Sequence, residues 1–218
     1  MGSNTTERNF FDLFNNDFAL LKAKFNVNSD ELPIDVHIKN LPGKKTGTKD
    51  LKKLAMMCTD HKTADFVEFY SRHNGFELAT VVHPVNALKK TLLRQLPASD
   101  LGKFTKQYLP GGKLAWTIDL NKAKALYRGE HKWLAFAEVD GGPACLTIFL
   151  DGENAGNVFL LNPQPHFNIL KPIAKSYSLL LERIAKDPAA FFRLIRAYVT
   201  IERDDKQRYG YVPVEYEF

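Results

Sequence analysis

The side chains of this chain that could do chemistry are scattered along it. Histidines fall at His37, His61, His73, His83, His131 and His166, and no two are four residues apart. A metal site on one helical face, as in HExxH, needs that spacing to bring both imidazoles to the same side, so no metal ligand is assigned. Cys58 and Cys145 are the only cysteines and form no CxxC pair. Two buried, reduced thiols in a cytoplasmic chain are therefore expected. Covalent catalysis needs a hydroxyl or thiol poised against a base, and no GxSxG element supplies one. Glu138 and Asp140 lie two apart on a predicted strand, where carboxylates on one face could share acid–base work. Asp140, however, opens Asp140-Gly141-Gly142-Pro143, and an Asp in such a turn bonds its own backbone. Turn chemistry is the expectation there.

Two further stretches invite a ligand. Pro42-Gly43-Lys44-Lys45-Thr46-Gly47 carries glycine and lysine but lacks the Gly-Lys-[Ser/Thr] ending after four spacer residues that lets a loop cradle phosphate. Lys103, Lys106, Lys113, Lys122, Lys124, Arg128 and Lys132 interleave with Tyr108, Trp116, Tyr127 and Trp133. Such a mixture can grip single-stranded nucleic acid. Both tryptophans fall in or beside predicted strands, so core packing is their expected use and nucleic acid is not an expected partner. No catalytic residue and no cofactor is assigned, and no enzyme is expected.

Any site must be held by the elements around it, and many of these are legible. Leu134–Ala137, Leu146–Leu150 and Val158–Leu161 are apolar runs, each closed by Asp, Asn, Gly or Pro, as in a β-meander with tight connections. Apolar residues on both faces of these strands imply a sheet covered on both sides. Upstream, Phe10, Phe11, Phe14, Phe18, Leu21 and Phe25 recur at spacings of three and four, which predicts a helical arm over about 4–30. Ile34, Val36 and Ile38 alternate with polar residues, as a half-exposed strand does.

Helices are predicted over 49–57 and over 60–72. Asp60 caps the second, and Asn74-Gly75 ends it because both tolerate the left-handed conformation. A strand follows over 76–82, a helix over 85–96 stopped by Pro97, and a helix capped by Ser99 and ending before Pro110. A strand over 113–118 and a helix over 121–127 complete the middle. After the meander, Leu170, Ala174, Tyr177, Ser178, Leu181 and Ile184 mark a helix. Asp187-Pro188 opens another, with Phe191, Leu194, Ile195, Tyr198 and Val199 as its apolar face. Pro213 restricts the 209–218 tail to an edge strand or an extended arm.

With 218 residues and a hydrophobic share of 44%, the chain suits one domain over 1–218 that needs no disulfide or metal to fold. Met1-Gly2-Ser3 reads as an expression scar, and no apolar signal segment or membrane span is expected. The formal charge of +5 is a mild excess that could steer an acidic partner.

Phe69-Tyr70-Ser71-Arg72-His73-Asn74-Gly75 resembles the helix-ending "F/Y-x-x-x-N-G" element of the SUKH superfamily, which joins fungal cell-wall-assembly regulators to bacterial toxin-immunity proteins. Trp133-Leu134-Ala135-Phe136-Ala137, then Gly141-Gly142, Ile148-Phe149-Leu150-Asp151 and Gly156-Asn157-Val158-Phe159 are similar to its meander. Ile173 to Leu181 is similar to its closing helix. Gly142-Pro143 stands where the family often has Gly-Asp, so no role tied to that Asp carries over. The resemblance covers about 65–185, with 187–218 as a closing helix and tail.

The resemblance implies an α+β fold with a mostly antiparallel sheet packed with several helices. It makes Tyr70, Asn74, Gly75, Trp133, Gly141, Gly142, Asp151 and Gly156 structural motif residues. It also implies a non-enzymatic protein-binding module: an immunity protein that occludes a cognate toxin domain or, alternatively, a regulatory scaffold adaptor. An enzyme with a dispersed site and a nucleic-acid binder are the more distant readings. The partner-binding face and the oligomeric state are left open.

Overall fold

The computed structural model describes residues 19–27, 30–40, 46–82, 89–119, 124–139, 143–161, 171–186, 191, 200–203 and 209–212. Strand β1 (Ala19–Val27) and strand β2 (Asp30–Asn40) form a hairpin with Ala19 opposite Ile38 and Val27 opposite Asp30. The helical arm expected over 4–30 is therefore a strand from Ala19 onward. Phe10, Phe11, Phe14 and Phe18 lie outside the described residues. The reason is arithmetic: Leu21 and Phe25 are four apart, which satisfies a period of two as well as one of 3.6. Lys22, Lys24 and Asn26 complete an apolar–polar alternation that only a strand uses.

Helix α1 (Thr48–Met57) leads to a 3-10 turn, His61–Thr63, and then to helix α2 (Ala64–Arg72). Asp60 caps this pair as expected: its Oδ1 accepts from Lys62 N at 2.9 Å. Strand β3 (Phe76–Val82) returns along β2, and strand β4 (Lys89–Gln95) pairs with it. The helix expected over 85–96 is thus a strand from Lys89 on; 83–88 lies outside the described residues. Leu93 sits between Leu78 and Val139, and ladder bonds on both edges override a weak local preference.

Helix α3 (Ala98–Lys106) is followed by turns and two single-turn helices, α4 (Trp116–Asp119) and α5 (Lys124–Tyr127). The strand expected over 113–118 does not form; Lys113 to Ala115 are turns and α4 follows. The meander appears where expected, as β5 (Trp133–Val139), β6 (Cys145–Phe149) and β7 (Val158–Leu161). Helix α6 (Tyr177–Lys186) starts later than the pattern from Leu170 suggested. Ile173 and Ala174 instead bond Val158 of β7, each at 2.8 Å, and Ser176 Oγ accepts from Leu179 N to start the helix. Asp187, Pro188 and 192–199 lie outside the described residues. Strand β8 (Thr200–Arg203) pairs with β9 (Tyr209–Val212), which gives the start of the tail a partner strand.

The first seven strands lie in chain order in one antiparallel sheet, and β8–β9 form a separate ribbon. The class is α+β. In β5, β6 and β7 every residue except Glu138 is buried, so this end of the sheet is covered on both faces. Along β6, Cys145, Thr147 and Phe149 point one way, and Leu146 and Ile148 the other. Tyr127 covers the first face, its ring 5.4 Å from Phe149 and its hydroxyl 2.6 Å from Thr147 Oγ1. The opposite layer is α2 and α6, whose Phe66 and Tyr177 rings meet Phe136 at 5.3 and 5.9 Å. Burying each such ring stabilises the fold by about 1.5–3 kcal/mol.

Candidate functional site

The motif residues at the end of α2 form a joint. Tyr70 is fully buried, and its hydroxyl donates to the Leu96 carbonyl at 2.7 Å. Asn74 Oδ1 accepts from Ala98 N at 3.1 Å, so the cap of α3 comes from the Asn-Gly motif 24 residues upstream and not from Ser99. The Thr46 hydroxyl lies 3.2 Å from both the His73 carbonyl and Asn74 Oδ1 and can donate to either. Gly75 has φ +102°, and a Cβ there would lie 2.4 Å from the Gln95 carbonyl oxygen. Only glycine allows both that dihedral and that approach. Three motif residues thus fasten α2 to the β4–α3 corner.

The remaining described motif residues hold the meander. Trp133 is buried, and Nε1 donates to the Tyr127 carbonyl at 3.1 Å. Asp151 Oδ1 accepts from Lys132 N at 2.9 Å and lies 3.3 Å from His131 Nδ1, closing β6 back onto the start of β5. Gly156 has φ +79°, and a Cβ there would lie 2.4 Å from the Lys62 carbonyl oxygen, so the β6–β7 turn touches the 3-10 turn only through glycine. Gly141 and Gly142 lie outside the described residues, as does Asp140.

Buried chemistry among the described residues is quiet. Burial pushes the Cys58 and Cys145 thiols up to about 12, against small lowering effects from Thr63 and Tyr108. Both are free and buried, and thiols held this far above neutrality are poor nucleophiles. Burial likewise raises the Tyr70, Tyr108 and Tyr127 phenols, which stay neutral hydrogen-bonding groups. Among the described residues no three His, Cys, Asp or Glu side chains converge to hold a metal, and no helix is long and apolar enough to cross a membrane.

Other residues with structural roles gave little local signal. Asp65 accepts from Phe66 N through Oδ1 and from Ser178 N through Oδ2, at 2.8 and 2.7 Å, and so serves two helix starts. Gln95, fully buried, accepts from the Tyr177 hydroxyl at 2.8 Å. Its Nε2 makes no hydrogen bond of ordinary geometry, although it faces the Tyr70 phenol closely enough to favour the ionised form slightly. Arg128 reaches across 20 residues to the Tyr108 carbonyl, to the Ala115 carbonyl, and to Asp119 at 3.0 Å. An acid in a first helical turn is a recognisable cue for Asp65. Nothing local marks Gln95 or Arg128.

Two surface features stand out. Trp116, expected in the core, is 45% exposed on α4, and Leu109 is exposed in the same Arg128-bound stretch. The second is a groove of about 460 Å³ between the Lys171–Lys175 segment and α6. Pro172, Ile173 and Ala174 line it with the half-exposed Leu179. The described charged residues that line it, Lys171, Lys175 and Arg183, are all cations. Arg183 Nη1 donates to the Ile173 carbonyl at 2.7 Å, which ties one side of the groove to the other. The chain matches no protein-family model, no curated protein and no solved structure.

Proposed function

We propose that this chain is a non-enzymatic protein-binding module of SUKH type, an immunity protein that holds a toxin domain and occludes its active site or substrate groove. One observation carries the reading. The described motif residues hold the elements together, with Asn74 capping α3, Gly75 against Gln95 and Gly156 against Lys62. A motif whose members hold a scaffold, in a chain whose buried thiols and phenols are held unreactive, suits a fold that presents a surface. The net charge of +5 favours a target whose contact surface is acidic over a basic nuclease groove.

The test is rescue. Where a large secreted protein is encoded beside this chain, its C-terminal domain is expressed in cells with and without the chain, and the pair is then co-purified. Restored growth together with a stable complex is the expected result. A toxic domain that neither binds nor is neutralised removes the immunity reading. A complex without rescue moves the chain to the regulatory-adaptor reading.

A further inference from the structure

We propose that the groove between Lys171–Lys175 and α6 docks an acidic segment of the protein partner that carries one bulky apolar side chain. The inference rests on the binding reading above and names the chemistry of the partner. The groove's volume of about 460 Å³ falls within the usual range for small-molecule pockets and so has room for one bulky side chain together with the backbone beside it. Pro172, Ile173 and Ala174 supply an apolar floor, and Leu179 is 48% exposed beside it, so an inserted Phe or Leu removes apolar surface of both partners from water.

The charges choose the occupant. Lys171 and Lys175 are exposed on the segment bordering the groove, and Arg183 lies four residues beyond Leu179 on the same face of α6. A basic or neutral apolar segment would bring its anchor past the exposed lysines with nothing to offer them, whereas flanking carboxylates complement Lys171 and Lys175. The walls are already in place. Ile173 and Ala174 are bonded to Val158 of β7, and the Arg183 guanidinium is fixed on the Ile173 carbonyl, so little ordering opposes binding.

Fluorescence polarisation on the full chain tests this with three labelled synthetic peptides: Asp-Glu-Phe-Leu-Asp-Glu, Lys-Lys-Phe-Leu-Lys-Lys and Asp-Glu-Gly-Gly-Asp-Glu. The first is expected to bind at least about tenfold more tightly than the others, with affinity falling as salt rises. Leu179→Asp, and Lys171→Glu combined with Lys175→Glu, are each expected to weaken it about tenfold or more while the circular dichroism spectrum is unchanged. Equal binding of the acidic and basic peptides, no binding of any peptide, or no loss in either variant overturns the proposal.

Two other occupants would also overturn it. Tighter peptide binding by Glu215→Lys combined with Glu217→Lys would make the chain's own acidic tail the occupant. A dimer that Leu179→Asp converts to monomer would make it a second copy. The neighbouring toxin domain separates this inference from the function itself. Equal binding of that domain by the wild type and by the variant carrying Lys171→Glu and Lys175→Glu removes the groove and leaves immunity standing. No toxin binding, with the peptide losses as stated, removes immunity and leaves the groove.

Discussion

The corner at Asn74-Gly75 and the knot around Arg128 are both places where the chain turns sharply between elements, yet they are built in opposite ways. At the first, a dipeptide adjacent to its own helix does the work: Asn74 caps α3 and Gly75 admits the Gln95 carbonyl. At the second, the turns over 107–115 and the single-turn α4 follow no strong local pattern and are gathered by one guanidinium on the Tyr108 and Ala115 carbonyls. The first can be read because glycine and asparagine have backbone preferences of their own. The second cannot, because an arginine has no preference for where its partners lie in sequence.

Gly75→Ala is the strongest way to break the first corner. A Cβ within 2.4 Å of a backbone oxygen at φ +102° costs roughly 3 kcal/mol or more, read as a large drop in the urea midpoint. Arg128→Met attacks the second by taking the side-chain donor from the Tyr108 carbonyl and removing the bonds to the Ala115 carbonyl, which Ile118 N still reaches, and to Asp119, at about 2 kcal/mol. Its signature is local: amide exchange should speed up over 107–128 and not in β5–β7. A uniform increase would show that the knot is part of the global core.

Asn74→Ala removes the acceptor for Ala98 N and should cost about 1 kcal/mol, with Asn74→Asp retaining most of it. If the Asp variant loses as much as the Ala variant, the cap is not what Asn74 contributes.

The same corner should respond to acid. Burial, and then the neighbouring Arg72 charge, hold the His73 imidazole below its usual 6.5, so the folded state disfavours the proton that the unfolded chain accepts. Stability is therefore full above pH 6.5 and declines as pH falls below it. His73→Gln should flatten that decline, and an unchanged slope would place its origin elsewhere. The smallest effect is expected at Trp116→Ala, within about 0.5 kcal/mol, because the indole is 45% exposed. A loss of several-fold more would mean that the Trp116 ring braces the Arg128 knot.

How much was legible followed from how local the cause was. The meander, α1, α2 and the Asp60 cap were readable because apolar runs, turn residues and a capping carboxylate all lie within a few residues of what they specify. Leu21 and Phe25 misled because a spacing of four fits strand and helix alike, and the hairpin partner decided between them. Lys89–Gln95 was misread because two flanking strands, not its own composition, make it a strand. Tyr70, Asn74, Gly75, Trp133, Asp151 and Gly156 could be picked out as motif residues, but their contacts could not. The cationic groove was invisible, since Lys171, Lys175, Leu179 and Arg183 become neighbours of one hollow only after Ala174 bonds Val158 and α6 starts at Tyr177.

By itself the sequence determined the meander, helices α1 and α2 and the Asp60 cap, because backbone preference and hydrophobic period act over a few residues. Tertiary structure alone decided which strands flank Lys89–Gln95, which carbonyls Arg128 gathers and where the cations surround an apolar hollow. Those outcomes depend on contacts between separate segments, such as Arg128 with Tyr108 20 residues upstream and Gln95 with Ala137 of β5, and no local preference dictates them.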